Sequence, residues 1–192
     1  MKVGFGPEYD IKNVAAVRRA IGNDILFAAR EKALRQGLNP TIYTHPIGYH
    51  GHGAGPAIGS WEHGEGYARH MIGDMTNGVC GYVDWNIVLD QRGGPNHVGN
   101  FCDAPVIVDT RTKEIRFGPS FYYIGHFSKF VLPGARRVQS SGGSDALQSI
   151  AFRNPDGSLA VVVLNTVGEA HRFMLNAGGE MLACTIPARA IH

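Results

Sequence analysis

The stretch that decides the fold is "GYVDWNIVLDQRGGPNHVGNF", residues 81–101 of a 192-residue chain. Its first half is rich in β-branched and aromatic side chains, and the same texture begins directly after Gly78. The run ends at "QRGGPN", where glycine and proline cluster as they do in turns. We therefore predict a buried strand over residues 79–90, followed by a loop.

Helices are predicted on both sides of this strand. Ser60 can cap a helix through "WEHGEGYARHMIGDMTNG", although the glycines within it act against helix formation. Residues 120–131, "SFYYIGHFSKFV", place apolar residues at helical spacing before a proline and a glycine. Farther upstream, residues 11–36 carry an apolar stripe at helical spacing and end at Gly37.

The texture changes after Gly134. The runs "RRVQSSG", "LQSIAFRNPDGSLAVVVLNT", "HRFMLNAG" and "MLACTIPARAI" are short, extended and separated by turn signals such as "NPDGS". A series of short extended segments separated by turns is typical of an antiparallel sheet. The fold class that we predict is therefore mixed α/β followed by an all-β region.

Composition excludes several classes of function. The chain has 18 Lys and Arg against 16 Asp and Glu, a net charge of +2, and its basic residues are scattered, so we expect no nucleic-acid partner. No long apolar run follows Met1, so we expect neither a signal peptide nor a transmembrane segment, and the compartment stays open. The three cysteines are widely spaced and odd in number, which favours buried free thiols over disulfides.

Several stretches together carry a resemblance to a known family: "GSWEHGEGYARHMIGD", "GYVDWNIVLDQRGGPNHVGNFCDAPVIVDT", "FYYIGHFSKFVLPGARRV", "NPDGSLAVVVLN" and "TIPARAI". From residue 59 to residue 192 the chain resembles the C-terminal part of glycoside hydrolase family 30, the glucosylceramidase family. The resemblance implies the last strand-helix unit of a (β/α)8 barrel over residues 59–133. It also implies a β-sandwich domain over residues 134–192.

The resemblance implies a retaining β-glycosidase that acts on glucosides or sphingolipids and needs no cofactor. Such a mechanism uses two carboxyl groups about 5 Å apart. The strand that would carry the nucleophile falls at "IYTHP", which has no glutamate, and the strand with the acid/base has no counterpart. We expect Glu62 and Glu65 to be solvated or helix-capping and Asp84 to be structural. We therefore predict no catalytic residue in this chain.

One wall of a sugar site remains within the resemblance. It matches Trp85 to the family tryptophan that lines the glucose pocket, and an indole face suits the apolar face of a sugar ring. It matches Asn100 and Phe101 to loop residues beside that pocket. A tryptophan on a buried strand is more often a core residue, so that alternative stays open. Asn96 and His97 are expected to shape the loop.

The N-terminal part resembles a different family. "FGPEYDIKNVAAVRRA" and "NPTIYTHPIGYHGHGAGPAIG" are similar to the C-terminal half of a pita-bread metallopeptidase, over about residues 4–59. We therefore predict a separate N-terminal unit, residues 1–58, with a helix and a Gly/His-rich loop. The resemblance implies that His52, or alternatively His50, is one of five metal ligands. One ligand in five does not hold a metal centre, so no metal is expected.

These observations favour a truncated or fused glucosylceramidase-like hydrolase that is inactive alone. A β-glucoside or glucosylceramide-type ligand is the expected partner. Because incomplete barrel strands expose unpaired edges, a homo-oligomer or a complementing chain is also expected. The alternatives are a noncatalytic carbohydrate-binding or interaction module and, third, a metallopeptidase remnant.

Overall fold

The fold is taken from a computed structural model, which describes residues 58–82, 86–95, 99 and 101–192 and the backbone of residues 43–44. The helix that we predict over residues 11–36 lies outside the described residues, as do His50 and His52 of the Gly/His-rich loop.

The barrel part begins with a parallel strand pair joined through a helix. Strand β1 (Tyr43–Thr44) pairs with β2 (Gly81–Tyr82), and helix α1 (Trp61–Thr76) lies between them in sequence. This is the strand-helix-strand connection that parallel pairing requires. The prediction of α1 is confirmed, and Ser60 occupies its N-cap position. The Ser60 side chain makes no capping hydrogen bond, so the role we predict for its hydroxyl is wrong.

The single strand predicted over residues 79–90 is two strands. Between β2 and the next strand, β3 (Val88–Asp90), Asn86 adopts a φ of +63°, a left-handed conformation that asparagine tolerates and an extended strand excludes. Strand β3 pairs in parallel with β4 (Val106–Val108), which pairs antiparallel with β5 (Ile115–Phe117). The predicted strand therefore ends at the right residue, begins two residues too early, and is wrong in being continuous.

Helix α2 (Pro119–Ser128) follows β5 directly and packs against α1. Proline opens the helix, where its missing N–H costs nothing. The prediction for residues 120–131 is confirmed, although the helix ends three residues earlier. Gly64 of α1 allows the two helices to approach, because a Cβ built on it would lie 2.6 Å from Cδ2 of Tyr123.

The C-terminal region is antiparallel, as predicted. Strand β6 (Arg136–Val138) pairs with β7 (Leu147–Arg153), which pairs with β8 (Leu159–Asn165), while β9 (His171–Ala177) and β10 (Glu180–Ile186) form a second, two-stranded sheet. The "NPDGS" turn joins β7 to β8. In that turn Asn154 accepts the N–H of Leu132 and donates to the carbonyl oxygen of Phe130, which ties the sheet to the end of α2.

One apolar core joins the helices of the barrel part to the sheet β6–β8. It combines residues of α1 and α2 with residues of β7 and β8: Ala68, Met71, Ile72, Tyr123, Phe127, Ile150, Phe152, Val162 and Leu164. Burying a large apolar side chain stabilises a fold by about 1.5–3 kcal/mol. The two parts of the chain therefore stabilise each other.

A second, smaller core lies under the sheet β3–β5 and holds Leu89, Ile107 and Ala104 with Cys102. Burial raises the pKa of the Cys102 thiol. All three cysteines are free, as predicted, but Cys80 is exposed and Cys184 is half-buried. Within the described part of the chain, no helix has the length and apolar character needed to cross a membrane.

Candidate functional site

The loop after β3 is held in shape by Asp90. Its Oδ1 accepts the backbone N–H groups of Arg92 at 2.8 Å and Gly94 at 2.9 Å. The N–H of Cys102 then donates to the carbonyl oxygen of Gly93 at 3.0 Å. This places Phe101, the residue before Cys102, beside the "QRGGP" turn.

Phe101 is the one predicted sugar-site residue that the structure describes. Its ring is half-buried, and the guanidinium carbon of Arg92 lies 5.5 Å from the ring centroid. An apolar ring beside a hydrogen-bond donor is the combination that a polyhydroxylated ligand uses. Trp85 and Asn100 lie outside the described residues, as do Asp84, Asn96 and His97. The sugar-site assignment therefore stays a prediction.

His63 connects the first turn of α1 to the chain that follows Phe101. Its Nδ1 lies 2.9 Å from Oδ2 of Asp103, and both side chains are largely buried. The other oxygen of Asp103 accepts the N–H of Ala104 at 2.9 Å. His63 thus belongs to a pair with a carboxylate, and the described residues include no group of three or more potential metal ligands. Sequence reasoning missed this pair because its members are forty residues apart.

From the sequence we predict that Glu65 is solvated or caps the helix. That prediction is wrong, because Glu65 is buried. Glu65 is 2% exposed, and its Oε1 lies 2.6 Å from Nε of Arg189, a residue near the C-terminus. Glu65 lies in a run of small and apolar residues on the buried side of α1, and that surrounding was the available signal. Glu62 is exposed, as expected.

Arg189 is a meeting point that the sequence did not single out. Its carbonyl oxygen accepts hydrogen bonds from Nε1 of Trp61 at 2.8 Å and from the hydroxyl of Tyr123 at 2.7 Å. Burial, and next the negative charge of Glu65, raise the pKa of Tyr123 to about 12. The carboxylate, the phenol and the indole therefore anchor one residue near the C-terminus, Arg189, to both helices.

Comparison with known families decides the relationship. The model of the glycosyl hydrolase family 30 TIM-barrel domain matches residues 44–131, and the model of the family's beta sandwich domain matches residues 134–192. The chain belongs to glycosyl hydrolase family 30. The fold class is accordingly confirmed as part of a TIM barrel followed by a β-sandwich domain.

Individual relatives agree. The chain is 43% identical over 113 residues to the lysosomal acid glucosylceramidase of Mus musculus, across 58% of this chain and 22% of the relative. The crystal structure of SrfJ from Salmonella typhimurium superposes with a TM-score of 0.66 at 38% identity, covering 68% of this chain and 29% of that one. An endo-beta1,6-glucanase, BT3312, gives a TM-score of 0.61 at 28% identity, with the same coverage of both chains. The chain thus spans less than a third of the length of these relatives.

The expected metallopeptidase resemblance is not supported. The barrel match begins at residue 44, whereas the sequence places the start of the family resemblance at residue 59. His50 and His52 therefore fall inside the glycosidase match. A short glycine-histidine motif is too unspecific to identify a family when a longer pattern overlaps it.

Proposed function

We propose that this chain is part of a glucosylceramidase-like hydrolase and that it binds a β-glucoside or a glucosylceramide-type ligand. The observation that carries the proposal is the order of the two family matches, barrel then sandwich, along most of the chain. The glucosylceramidase relative and the resemblance at "VDWN" support the choice of ligand.

We further propose that the 192-residue polypeptide does not hydrolyse glycosides by itself. Hydrolysis with retention of the anomeric configuration requires two carboxyl groups about 5 Å apart, one as nucleophile and one as acid/base. Two buried carboxylates near α1 are already engaged, Glu65 with Arg189 and Asp103 with His63. Using either carboxylate for catalysis would break an ion pair in which the carboxylate itself is buried, and this is costly.

The sugar would lie against Trp85, with Phe101 and Asn100 at its side. Arg92 supports this part of the proposal, because its guanidinium stands over Phe101 and offers donors to sugar hydroxyls. Asp90 accepts the backbone N–H groups of Arg92 and Gly94, so the loop that carries Arg92 is shaped before the ligand arrives.

The binding test is calorimetric titration of the purified polypeptide with an aryl β-glucoside. We expect saturable binding that Trp85→Ala and Arg92→Ala weaken. The control is Phe130→Ala, which removes a ring 51% exposed beyond the end of α2 and should leave binding unchanged. Unaltered affinity in both site variants would overturn the assignment of the site.

The turnover test uses the same aryl β-glucoside and follows release of the aryl alcohol. We expect no release above the rate in buffer. Hydrolysis by the polypeptide that one carboxylate substitution abolishes would refute the proposed inactivity. Binding without turnover is also what a noncatalytic carbohydrate-binding module would show. Tight binding of extended glucans over simple glucosides would favour that alternative.

We also propose that the β1–β2 pair completes its sheet with strands of another chain, either a second copy or a complementing polypeptide. Parallel sheets are stable when many strands are covered on both faces, and the described pair is two residues long in each strand. Light scattering on the purified polypeptide tests this. A monodisperse monomer that melts in one cooperative transition would count against it.

A further inference from the structure

The segment of residues 101–104 is held from two sides. On one side, the backbone N–H of Cys102 donates to the carbonyl oxygen of Gly93, in the loop after β3, at 3.0 Å. On the other side, Oδ2 of Asp103 lies 2.9 Å from Nδ1 of His63, in the first turn of α1. The second contact is made by two side chains, so a substitution can remove it.

The direction of the contact between His63 and Asp103 follows from its chemistry. An ionised carboxylate accepts hydrogen bonds and donates none, so Nδ1 of His63 carries the proton that points at Asp103. The two side chains are 18% and 8% exposed, so water screens the contact little. The second oxygen of Asp103 accepts the N–H of Ala104 at 2.9 Å, which orients the carboxylate. Hydrogen bonds to a charged group are the stronger class in proteins.

The position of Phe101 depends on where this segment lies. The guanidinium carbon of Arg92 is 5.5 Å from the centroid of the Phe101 ring, and a cation interacts with an aromatic face only within about 6 Å. This contact therefore tolerates a displacement of well under about 1 Å. Only Cys102 stands between Phe101 and Asp103 in the sequence, so a movement of the carboxylate moves the ring.

We propose that His63 and Asp103 are positioning residues of the sugar site. Their hydrogen bond holds residues 101–104 against α1, at the place where the Phe101 ring meets Arg92. Neither residue is required to touch the sugar. This inference rests on the sugar binding proposed above, and it makes the affinity depend on a side-chain pair outside the ligand contacts. When the pair is broken, the segment detaches locally more often, and the ring and the guanidinium are no longer presented together.

Cys102 reports whether the segment is in place. It is 2% exposed, in the small core with Leu89 and Ile107, and burial raises the pKa of its thiol. A thiol reagent attacks the thiolate, so Cys102 reacts when the segment has detached and its thiol is in water. Cys80→Ser with Cys184→Ser leaves Cys102 as the only cysteine of the chain. This double variant is the parent for the measurement.

The test measures the alkylation rate of Cys102 and, on the same samples, the affinity for an aryl β-glucoside. His63→Leu keeps a side chain of similar size that has no donor. Losing a hydrogen bond to a charged group shifts an equilibrium about tenfold to hundredfold, and we expect the alkylation rate to rise by that factor. Affinity falls with the fraction of molecules that keep the binding conformation, so binding should weaken about threefold or more.

Two amide variants separate the hydrogen bond from the size of the side chain. The amide nitrogen of asparagine can take the place of Nδ1, whereas that of glutamine lies one bond farther out, near the place of Nε2. His63→Asn should therefore restore most of the slow alkylation and most of the affinity, and His63→Gln should restore less. His63→Leu combined with Asp103→Asn should exceed the stronger single variant little, because both remove the same contact.

Asn154→Ala is the matched control for general loss of stability. It removes the contacts of Asn154 to Leu132 and Phe130, beyond the far end of α2. It should lower the melting midpoint in circular dichroism and leave both the Cys102 rate and the glucoside affinity at the parent values.

Four results would overturn the proposal. They are parent-like alkylation in His63→Leu, faster alkylation without loss of affinity, no rescue by His63→Asn, and an equal effect of Asn154→Ala on both readouts. A parent that binds no glucoside would refute the proposed sugar site instead. The Cys102 rates would then still decide whether the pair holds the segment, so the two failures are distinguishable.

Discussion

Replacing glycine with alanine should have opposite effects on stability at Gly64 and at Gly125. Gly64 lies where α1 meets α2, and a Cβ there would come 2.6 Å from Cδ2 of Tyr123 and 2.9 Å from Cβ of Pro119. Ordinary carbon contacts are about 3.5–4.0 Å, so the helices must separate by about 1 Å. Gly125 lies in α2, and no described atom is within 4 Å of a Cβ built on it.

The magnitudes follow from two opposing effects. Replacing a helical glycine with alanine gains about 1 kcal/mol of helix propensity. At Gly64 this gain meets an overpacking cost of about 1–3 kcal/mol or more, because Tyr123 is 1% exposed and cannot move aside. Loosening the hydrogen bond from Tyr123 to Arg189 costs about 1 kcal/mol more. We expect Gly64→Ala to destabilise the protein by about 1–3 kcal/mol and Gly125→Ala to stabilise it by up to about 1 kcal/mol.

Urea unfolding followed by circular dichroism measures both variants against the parent. A change of 1 kcal/mol moves the thermal midpoint by about 2–4 °C for a chain of this size, so melts give an independent reading. Equal or higher stability of Gly64→Ala would refute the close approach of the two helices. If Gly125→Ala destabilises the protein, helix propensity does not govern the effect of substitution at that position.

Three further predictions concern other contacts. Arg189→Ala should cost about 2–3 kcal/mol of unfolding free energy, because it leaves the buried Glu65 carboxylate without its cation; Glu65→Leu with Arg189→Leu should recover most of that loss in urea titrations. Asn154→Ala should cost about 2–3 kcal/mol in the same assay, since the Leu132 N–H and a carbonyl oxygen lose their partner, whereas Asp156→Ala in the same turn should cost less. The backbone N–H groups of Arg111 and Thr112 lower the pKa of Asp109 below 3.8, so Asp109 stabilises the fold above that pH and the contribution is lost as pH falls through its lowered pKa. The stability difference between parent and Asp109→Ala should therefore be constant near neutral pH and shrink in acid; a difference that grows in acid would contradict the sign.

The elements that sequence could predict are those whose signal is local. Residues 120–131 carry helical spacing, and the turn "NPDGS" marks the hairpin of β7 and β8, so both predictions hold. The strand over residues 79–90 is interrupted because Asn86 turns the backbone and β3 takes β4 as its partner. A pairing partner is a property of the tertiary fold, and no window of residues 79–90 contains it.

The side-chain contacts near α1 could not be predicted from the sequence, because they join residues that are far apart along the chain. Trp61 bonds to a carbonyl 128 positions away, and Glu65 pairs with the same residue, Arg189. Glu62 and Glu65 lie three positions apart near the start of α1, and only packing decides that one is exposed and the other buried. The assignment of Phe101 to a sugar site rests on the distinctive motif around it and stays a prediction.

The apolar core shared by α1, α2 and the sheet β6–β8 restricts how this region can be cut or exchanged. A protease that cleaves the short connection between α2 and β6 should leave two fragments that remain associated. A sandwich grafted from another family member would bring a surface shaped for its own helices. Recombination should therefore succeed when α1 and α2 are exchanged together with the sandwich. The segment that can be exchanged is then longer than the sandwich domain that the sequence delimits.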